Sequence, residues 1–378
     1  MDQISENITA VVETPELLNV TLSKLISWRL LPNASVFKTP DFNYPISEYP
    51  YSFKTDFLVN TFYPLSLHWA TPLLIGFTYF TSVHVFNKFV LQRQIKSFKL
   101  KNPDAKELPP VKKLPAVPFA ISTYRLFKWF VLLHNVFLCV YSVWTFIGMN
   151  TTIYLNSHNV IPQLVNKYYN NTSKVPGSQL FWNSICDIEN GIWYNRESDN
   201  GYMKGLSYWS YLFYLSKYYE ILDTVIILLK GRQSSLLQSY HHTGAILSMW
   251  AGTRFASPPI WIFVVFNSFI HSIMYFYFSL SCLKIRVPVL FKQCLTTLQI
   301  TQFVVGGSLA VVHLFVSYFD VVEGSFKDCI QSGEKALALI INVVYLAPLT
   351  VLFGAFYIES YRKSNKKKTT TSVNKKNN

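Results

Sequence analysis

The sequence predicts an all-α polytopic membrane protein with about seven transmembrane helices. Half of its 378 residues are hydrophobic and only 14% are charged, and the mean hydropathy is +0.21. Seven apolar stretches, most with roughly the 20 residues that a helix needs to cross a bilayer, are separated by short polar breaks. This balance is typical of a chain that buries several spans in lipid.

The predicted spans, in chain order, are 62–88, 126–148, 206–229, 235–252, 259–281, 288–317 and 336–358. Only Lys230, Gly231, Arg232 and a few polar residues separate the third span from the fourth, so we expect a tight helical hairpin there. The first 20 residues are acidic and lack a basic start followed by an apolar run, which does not fit a cleavable signal peptide. The first span is therefore expected to direct insertion.

Basic residues predict the orientation, because Lys and Arg accumulate in short cytosolic loops. The segment after the first span contains Arg93, Lys96, Lys99, Lys101, Lys106, Lys112 and Lys113. Alternation through seven spans brings two basic turns and the tail YRKSNKKK to the same side; the turns contain Lys230 and Arg232, and Lys284, Arg286 and Lys292. We therefore expect this side to be cytosolic, and the N-terminus and the 149–205 loop to be lumenal.

Two further features agree with that orientation. All six N-glycosylation sequons fall on segments assigned to the lumen: Asn7, Asn19, Asn33, Asn150, Asn170 and Asn171. Of the five cysteines, Cys186 and Cys329 lie in lumenal loops, where an oxidising compartment favours a disulfide. The sequence therefore predicts that these two cysteines pair, with two free thiols as the alternative.

The C-terminal tail and the net charge bear on location and partners. Lys375 and Lys376 near the end of the chain resemble a dilysine signal for retrieval to the endoplasmic reticulum, although a solvated basic tail has the same composition. The net charge of +14 suits an anionic membrane surface or an anionic soluble partner. The basic residues are divided among loops that flank the membrane, which argues against nucleic acid as a partner.

The third span contains ionisable residues, which are expensive in a bilayer and usually face the interior of a helix bundle. Lys217, Glu220, Asp223 and Thr224 are three or four residues apart or adjacent, so they share one helix face. This spacing predicts a polar site, whereas the alternative is an intramembrane ion pair that serves only helix packing.

The fourth, fifth and sixth spans each add polar residues. Gln238 lies one turn before His241 and His242, where its amide can hydrogen-bond an imidazole and fix its tautomer. The fifth span contributes Asn267, His271, Met274, Tyr275 and Tyr277, and the sixth contributes Thr296, Gln299 and Gln302. By the predicted topology all these groups lie in the cytosolic half or near the middle of the membrane. The sequence thus predicts one polar chamber that opens to the cytosol.

These residues form four motifs in a fixed order: K-x-x-E-x-x-D-T from Lys217 to Thr224, x-x-x-H-H at His241 and His242, N-x-x-x-H-x-x-M-Y from Asn267 to Tyr275, and T-x-x-Q-x-x-Q from Thr296 to Gln302. Together they resemble the ELO family of fatty-acid elongases, seven-span proteins of the endoplasmic reticulum. The resemblance covers roughly residues 60 to 360. The N-terminal 60 residues and the last 20 lie outside it. We therefore expect a lumenal segment 1–60, a membrane domain 61–360 in which the resemblance implies an acyl tunnel, and a cytosolic tail 361–378.

The resemblance implies the condensation of a long-chain acyl-CoA with malonyl-CoA to 3-oxoacyl-CoA, CoA and CO2, the first step of microsomal elongation. It implies no metal and no cofactor besides the two substrates. The implied partners are membrane lipids and the ketoacyl reductase, dehydratase and enoyl reductase of the elongation cycle, and the implied oligomer is a homodimer.

Roles follow from the resemblance for each motif residue. His241 is expected to attack the thioester, and His271 to bind or polarise the reacting carbonyl and to assist proton transfer. His242 is the third expected catalytic histidine and would orient the other imidazoles together with Gln238 and Asn267. The other supporting residues are Lys217, Glu220 and Asp223, which would set the charge of the imidazoles, and Thr224, Tyr275, Gln299 and Gln302. The expected CoA-phosphate ligands are Lys230, Arg232, Arg286 and Lys292.

One position departs from the family pattern. The family box most often reads H-x-x-H-H, whereas Gln238 stands at its first position here. Glutamine does not exchange protons near neutral pH, which favours an orienting role for that position. A Q-x-x-H-H box resembles the elongases of fungi, protists and algae that act on polyunsaturated acyl chains.

Two other classes of membrane protein contain similar polar residues within their spans. Di-iron desaturases and hydroxylases also use H-x-x-H-H boxes, but they need several, and the chain has eight histidines of which five are isolated: His68, His84, His134, His158 and His313. A seven-span lipid transporter or receptor without catalysis would also use intramembrane charges. A transporter needs polar lining that reaches both faces, whereas the lumenal ends of spans five and six are mostly apolar.

Overall fold

A computed structural model of the protein describes residues 24–105, 107–169, 175–198 and 201–362. Its α-helices are α1 (Tyr63–Leu67), α2 (Ala70–Lys101), α3 (Ala120–Thr123), α4 (Arg125–Leu155), α5 (Ile161–Tyr168), α6 (Gly177–Cys186), α7 (Leu206–Tyr219), α8 (Ile221–Leu229), α9 (Leu236–Arg254), α10 (Ile260–Cys282), α11 (Val289–Val312) and α12 (Gly333–Tyr357). Short 3-10 helices span Ala34–Phe37, Val111–Lys113 and His313–Phe315, and π-helical turns span Phe57–Phe62, Asn156–Val160 and Ile358–Arg362.

Four helical segments in the described ranges are long and apolar enough to cross a bilayer: Arg125–Tyr168, Ile260–Cys282, Val289–Phe315 and Gly333–Tyr361. The chain is therefore an α-helical, multi-pass membrane protein. The other three predicted spans also fall on helices. Polar residues lower the mean hydropathy of α2 and α9, and a break at Glu220 divides the third span into α7 and α8. Seven crossings thus remain a prediction.

The long helices pack side by side around an interior chamber. Helices α4, α10, α11, α12, α9 and α2 contact one another in that order, and the α7–α8 pair contacts α2, α4, α9 and α10. We call the end at which α2, α8, α10 and α12 finish the basic end, since the turns 230–235 and 283–288 lie there. The opposite end is filled by a buried aromatic core that includes Trp209, Trp250, Phe255 and Trp261.

That opposite end, here named the disulfide end, has a small sheet. Strands β1 (Ile26–Trp28), β4 (Val316–Asp320) and β5 (Ser325–Asp328) are antiparallel in the order β1-β4-β5, and β2 (Arg196–Ser198) pairs with β3 (Gly201–Met203). Cys186 at the end of α6 is disulfide-bonded to Cys329 just after β5, with their Cα atoms 4.6 Å apart. The disulfide thus joins the predicted 149–205 loop to the strand hairpin.

Two boundaries differ from the sequence prediction. The predicted sixth span ran to residue 317, but α11 ends at Val312 because the chain makes a 3-10 turn and Val316 then pairs in β4 with Trp28. The segment expected to be a loop from residue 149 is largely regular, since α4 continues to Leu155 and helical structure follows to Tyr168. The Asn150 sequon therefore lies inside a helix, where its amide donates to the carbonyl of Phe146 at 2.7 Å.

Of the other sequons, Asn33 is described: its side chain accepts from Ser35 N–H, capping a 3-10 helix, and donates to Asp328. The sequons Asn7, Asn19, Asn170 and Asn171 and the lysines Lys375 and Lys376 lie outside the described residues.

The segment before α1 packs against the disulfide end. The guanidinium of Arg254, at the end of α9, donates to the carbonyls of Phe42, Tyr44 and Pro45. Asp41 N–H donates to the carboxylate of Glu334 at 2.8 Å. These contacts tie the N-terminal segment to α9 and to the start of α12.

The predicted hairpin between the third and fourth spans is confirmed, since residues 230–235 join α8 to α9. Gly231 has φ +69°, and a Cβ there would lie 2.0 Å from the Val117 carbonyl oxygen, so only glycine fits. Asn87 on α2 exchanges two hydrogen bonds of 2.8 Å with the backbone of Ser234. Helix α2 therefore holds this turn, and with it the start of α9, in place.

Candidate active site

A cavity of about 1150 Å³ opens at the basic end between α4, α8, α9, α10, α11 and α12. His241, His242 and His271 all line it, so we call it the histidine chamber. The ring centroids of His241 and His242 are 5.4 Å apart, and those of His241 and His271 are 6.3 Å apart. The structure thus brings together three histidines that the sequence placed on two different helices.

A buried ion pair lies beside the histidines. Lys217 Nζ is 2.7 Å from Glu220 Oε1, with each side chain only 3% exposed, and it also donates to Asn267 Oδ1 at 3.1 Å. Glu220 occupies the break between α7 and α8. Its main-chain carbonyl accepts a hydrogen bond of 3.0 Å from Asp223 N–H. His271 Nδ1 lies 3.8 Å from Glu220 Oε1. One carboxylate therefore faces both an ammonium and an imidazole.

His241 has a partner that sequence reasoning did not find. The hydroxyl of Tyr345, on α12, is 2.7 Å from His241 Nδ1 and also donates to the main-chain carbonyl of His241 at 3.1 Å. Tyr345 belongs to no motif, and its hydroxyl is one of a few polar groups in a mostly apolar span, so the sequence does not single it out. When the tyrosine proton is shared with the carbonyl, the hydroxyl oxygen can accept from Nδ1–H, and in that tautomer the lone pair is on Nε2.

The glutamines occupy two sides of the chamber. Gln238 Nε2 is 2.8 Å from His242 Nε2, the contact expected from their i, i+4 spacing. Gln299 donates to the sulfur of Met274 at 3.6 Å, and Gln302 lines the chamber. Thr296 instead donates to the carbonyl of Lys292 on its own helix. The sixth-span motif therefore contributes two chamber side chains, not three.

Asp223 and Thr224 face different neighbours. Asp223 lines the chamber and accepts from Tyr275 OH at 2.6 Å. His134 Nε2 on α4 lies 2.8 Å from the other Asp223 oxygen. His134 stands apart from the other histidines in the sequence, but the packing of α4 on α10 brings it to Asp223. Thr224 Oγ1 is 2.7 Å from the hydroxyl of Tyr79 on α2.

A second, narrow cavity of about 40 Å³ extends from His241 towards the disulfide end. Its walls are mostly apolar and include Phe213, Met249, Phe303 and Leu346. His241 and Gln302 line both this cavity and the histidine chamber. At this volume the narrow cavity has no room for a long acyl chain unless its aromatic and methionine side chains move.

The four predicted phosphate ligands lie near the basic end but are not equivalent. Lys230 lines the chamber, whereas Arg232 and Arg286 are exposed on the two turns. The ammonium of Lys292 is 5.6 Å from the centre of the Tyr277 ring. In the part of the chain that the structure describes, no three or more His, Cys, Asp or Glu side chains are grouped to hold a metal ion.

Fold and site together define a helical membrane protein with a buried chamber of histidines and acidic residues open at one end. The chain belongs to the ELO family (GNS1/SUR4 family), whose family model matches residues 64–369. The match extends past the range of about 60 to 360 expected from the motifs and begins at the first turn of α1.

The chain is similar to several curated fatty-acid elongases. It is 29% identical over 178 residues to fatty acid elongase 2 of Trypanosoma brucei brucei, covering 46% of this chain and 62% of that protein. It is 30% identical over 242 residues to fatty acid elongase A of Dictyostelium discoideum, covering 64% and 75%. It is 31% identical over 173 residues to long chain fatty acid elongase 1 of Caenorhabditis elegans, covering 45% and 57%. The aligned part is thus less than two thirds of several relatives. No solved structure matches the chain.

Proposed function

We propose that the protein condenses a long-chain acyl-CoA with malonyl-CoA to give 3-oxoacyl-CoA, CoA and CO2. The observation that carries this proposal is the position of His241, which lines both the wide chamber and the narrow apolar cavity. A thioester carbonyl held at His241 would have its acyl chain in the apolar cavity and its CoA in the chamber. Family membership and the names of the relatives support the same chemistry.

The first half-reaction is acyl transfer to His241. Its Nε2 lone pair, set by the Nδ1 contact with Tyr345, attacks the thioester carbonyl. A carbon–nitrogen bond forms, the carbon–sulfur bond breaks, and CoA leaves as a thiolate that takes up a proton. His271 lies on the same chamber wall and is proposed to polarise the reacting carbonyl, while Glu220 stabilises positive charge on the imidazoles.

The second half-reaction forms the new carbon–carbon bond. Malonyl-CoA loses CO2, and the electron pair released on its α-carbon attacks the acyl group on His241. The bond to Nε2 breaks, and free His241 is regenerated with 3-oxoacyl-CoA as product. Over the whole cycle one proton is consumed, and it ends on the sulfur of the released CoA. We propose that His242 and Asn267 orient the reacting groups. His242 contacts Gln238, and Asn267 accepts a hydrogen bond from Lys217.

The two parts of the acyl-CoA substrate are assigned to the two cavities and the basic end. CoA phosphates are assigned to Lys230, Arg232, Arg286 and Lys292 around the basic end. The acyl chain would widen the narrow cavity by moving Phe213, Met249 and Phe303, which turns it into the acyl tunnel. We also propose a preference for polyunsaturated acyl chains. Its support is the resemblance of the Q-x-x-H-H box, which contains Gln238 and His242, to elongases that act on such chains.

The cellular setting is proposed on sequence grounds. We place the protein in the endoplasmic reticulum membrane as a glycosylated homodimer, with its N-terminus lumenal and its C-terminus cytosolic. A 3-oxoacyl-CoA product requires a ketoacyl reductase, a dehydratase and an enoyl reductase, which are the proposed functional partners.

Microsomes that contain the protein should be given radiolabelled malonyl-CoA and a panel of saturated, monounsaturated and polyunsaturated acyl-CoAs. We expect a chain-extended product that is lost with His241→Ala. The control is His158→Ala, because His158 lies at the disulfide end and bonds the carbonyl of Tyr154. If no acyl-CoA is extended by correctly folded protein, the condensing function is ruled out.

A further inference from the structure

His134 is buried on the far side of Asp223 from the histidine chamber. Its side chain is wholly inaccessible to solvent, and Nε2 lies 2.8 Å from Asp223 Oδ1. Tyr275 OH donates to the other carboxylate oxygen of Asp223 at 2.6 Å. Asp223 and Tyr275 line the chamber, so the hydrogen bond to Asp223 connects His134 to the site.

The chemistry of the partners fixes the direction of each hydrogen bond. An ionised carboxylate only accepts, so the contact with Asp223 requires that His134 Nε2 carry a proton. In a neutral imidazole Nδ1 is then an acceptor, and the hydroxyl of Tyr219 lies 3.3 Å from it. Asp223 therefore receives one donor on each oxygen, from α4 and from α10. Two donors from two different helices fix the plane of the carboxylate.

The Tyr275 ring extends this network to the catalytic histidines. It packs edge-on against the His271 ring with centroids 5.5 Å apart. If the Asp223 carboxylate rotated, Tyr275 would lose its acceptor and the contact with His271 would loosen. A fixed negative charge on this wall also favours the positive charge that develops on the imidazoles during acyl transfer.

We propose that His134 is a positioning residue for the condensation, and this inference rests on the proposed function. Its N–H holds the Asp223 carboxylate so that Tyr275 stays hydrogen-bonded to it and the negative charge stays on the chamber wall beside His271. The residue acts through Asp223 and does not contact either substrate. It lies on α4, outside the four motifs that define the family resemblance.

A positioning role predicts a specific kinetic pattern. The charge that Asp223 provides matters in the transition state more than in the bound substrates, so its loss lowers kcat and leaves KM nearly unchanged. One hydrogen bond to a charged group corresponds to a change of about 10- to 100-fold in rate. A residue that served packing alone would respond to volume and would not need an N–H at the Nε2 position.

The test compares two substitutions of different chemistry. His134→Phe keeps the ring volume and the stacking on Phe130 but removes the donor, whereas His134→Gln places an amide N–H near the position of Nε2. We expect kcat of the purified protein to fall about 10- to 100-fold with Phe and to recover to within about threefold of wild type with Gln. His158→Phe at the disulfide end is the matched control and should change neither constant.

The outcomes separate this inference from the proposed function. If the wild-type protein extends acyl-CoA but Phe leaves kcat unchanged, or Gln lowers it as much as Phe, the positioning role is overturned while the condensation stands. If the wild-type protein extends nothing, both fall. Should His134→Phe not fold, His134→Asn replaces it, since its shorter amide does not reach the Nε2 position and the same loss of kcat is expected.

Discussion

The Tyr345 hydroxyl lies 2.7 Å from His241 Nδ1 and donates to the main-chain carbonyl of the same residue at 3.1 Å. One side chain on α12 is thus hydrogen-bonded to both the ring and the backbone of the proposed nucleophile. The contact explains how His241 presents Nε2, since Nδ1 is occupied, and why α12 belongs to the active site although it contains none of the motif residues.

Tyr345→Phe should lower the rate of condensation about 10-fold or more, because His241 loses the contact that fixes its tautomer and ring orientation. The measurement is kcat for extension of the preferred acyl-CoA. Tyr357→Phe on the same helix is the control and should retain full activity. An unchanged kcat for Tyr345→Phe would show that the tautomer of His241 is set by some other contact.

The Lys217–Glu220 pair should show strong coupling in stability. Replacing one partner, as in Lys217→Met or Glu220→Leu, leaves the other group buried without its partner and should destabilise the fold by about 3–5 kcal/mol. The double substitution Lys217→Met with Glu220→Leu should be less destabilised than the sum of the single ones. Unfolding in detergent measures this cycle, and simple additivity would contradict the pairing.

Activity of the same double variant decides between the two interpretations of the pair. If the pair serves only helix packing, the double variant should keep its activity once it is folded. Our account predicts that it is inactive, because Glu220 also faces His271 and Lys217 also holds Asn267.

The disulfide should stabilise the disulfide end of the molecule. Cys186 and Cys329 are separated by 143 residues in sequence, so their bond closes a long loop in the unfolded chain. Cys186→Ser or Cys329→Ser should lower the free energy of unfolding by about 2–5 kcal/mol. Cys294→Ser removes an exposed free thiol and should have no such effect. Equal stability of all three variants would argue that the disulfide contributes nothing to stability.

Asp187, next to Cys186, should make stability depend on pH. Burial raises the pKa of the Asp187 carboxyl to about 6, from an ordinary value of 3.8. The folded state therefore binds this proton more tightly than the unfolded state, so the group favours folding below about pH 4, and this advantage is lost as the pH rises through about 6. Asp187→Asn should gain stability relative to wild type between pH 4 and pH 7, by up to about 3 kcal/mol.

The variant is compared with wild type at each pH because other carboxyls titrate too. Burial acts to raise the pKa of Asp320, but the hydrogen bond and charge of Lys327, together with the N–H groups of Glu323 and Val322, outweigh burial and lower the pKa. Asp320 therefore works in the opposite direction, and its charge also contributes to the raised pKa of Asp187. The difference between Asp187→Asn and wild type thus reports Asp187 in its native surroundings. A difference that does not grow with pH would show that Asp187 is ionised in the folded state without penalty.

Much of the site could be predicted from sequence because its residues recur at helical spacing on single helices. Lys217 with Glu220 and Gln238 with His242 are such local pairs, and the structure brings them into contact as expected. The family model matches residues 64–369, a range that contains these ordered motifs.

The remainder depends on contacts between helices distant in sequence, which one sequence does not reveal. Tyr345 reaches His241 across 104 positions, and His134 reaches Asp223 across 89. Neither residue lies in a recurring pattern. The end of α11 was also misplaced, because strand pairing with residues near the N-terminus stops an apolar run that would otherwise continue as helix.

The most direct test of the central claim asks whether His241 carries the acyl group. Purified protein is incubated with an acyl-CoA labelled in its acyl chain, without malonyl-CoA, and both the free CoA released and the label bound to protein are measured. We predict about one equivalent of each, with the label on the peptide that contains His241 and absent in His241→Ala, and complete transfer to 3-oxoacyl-CoA when malonyl-CoA is added. Extended product formed at the same rate by His241→Ala, with no labelled protein at any time, would contradict the account.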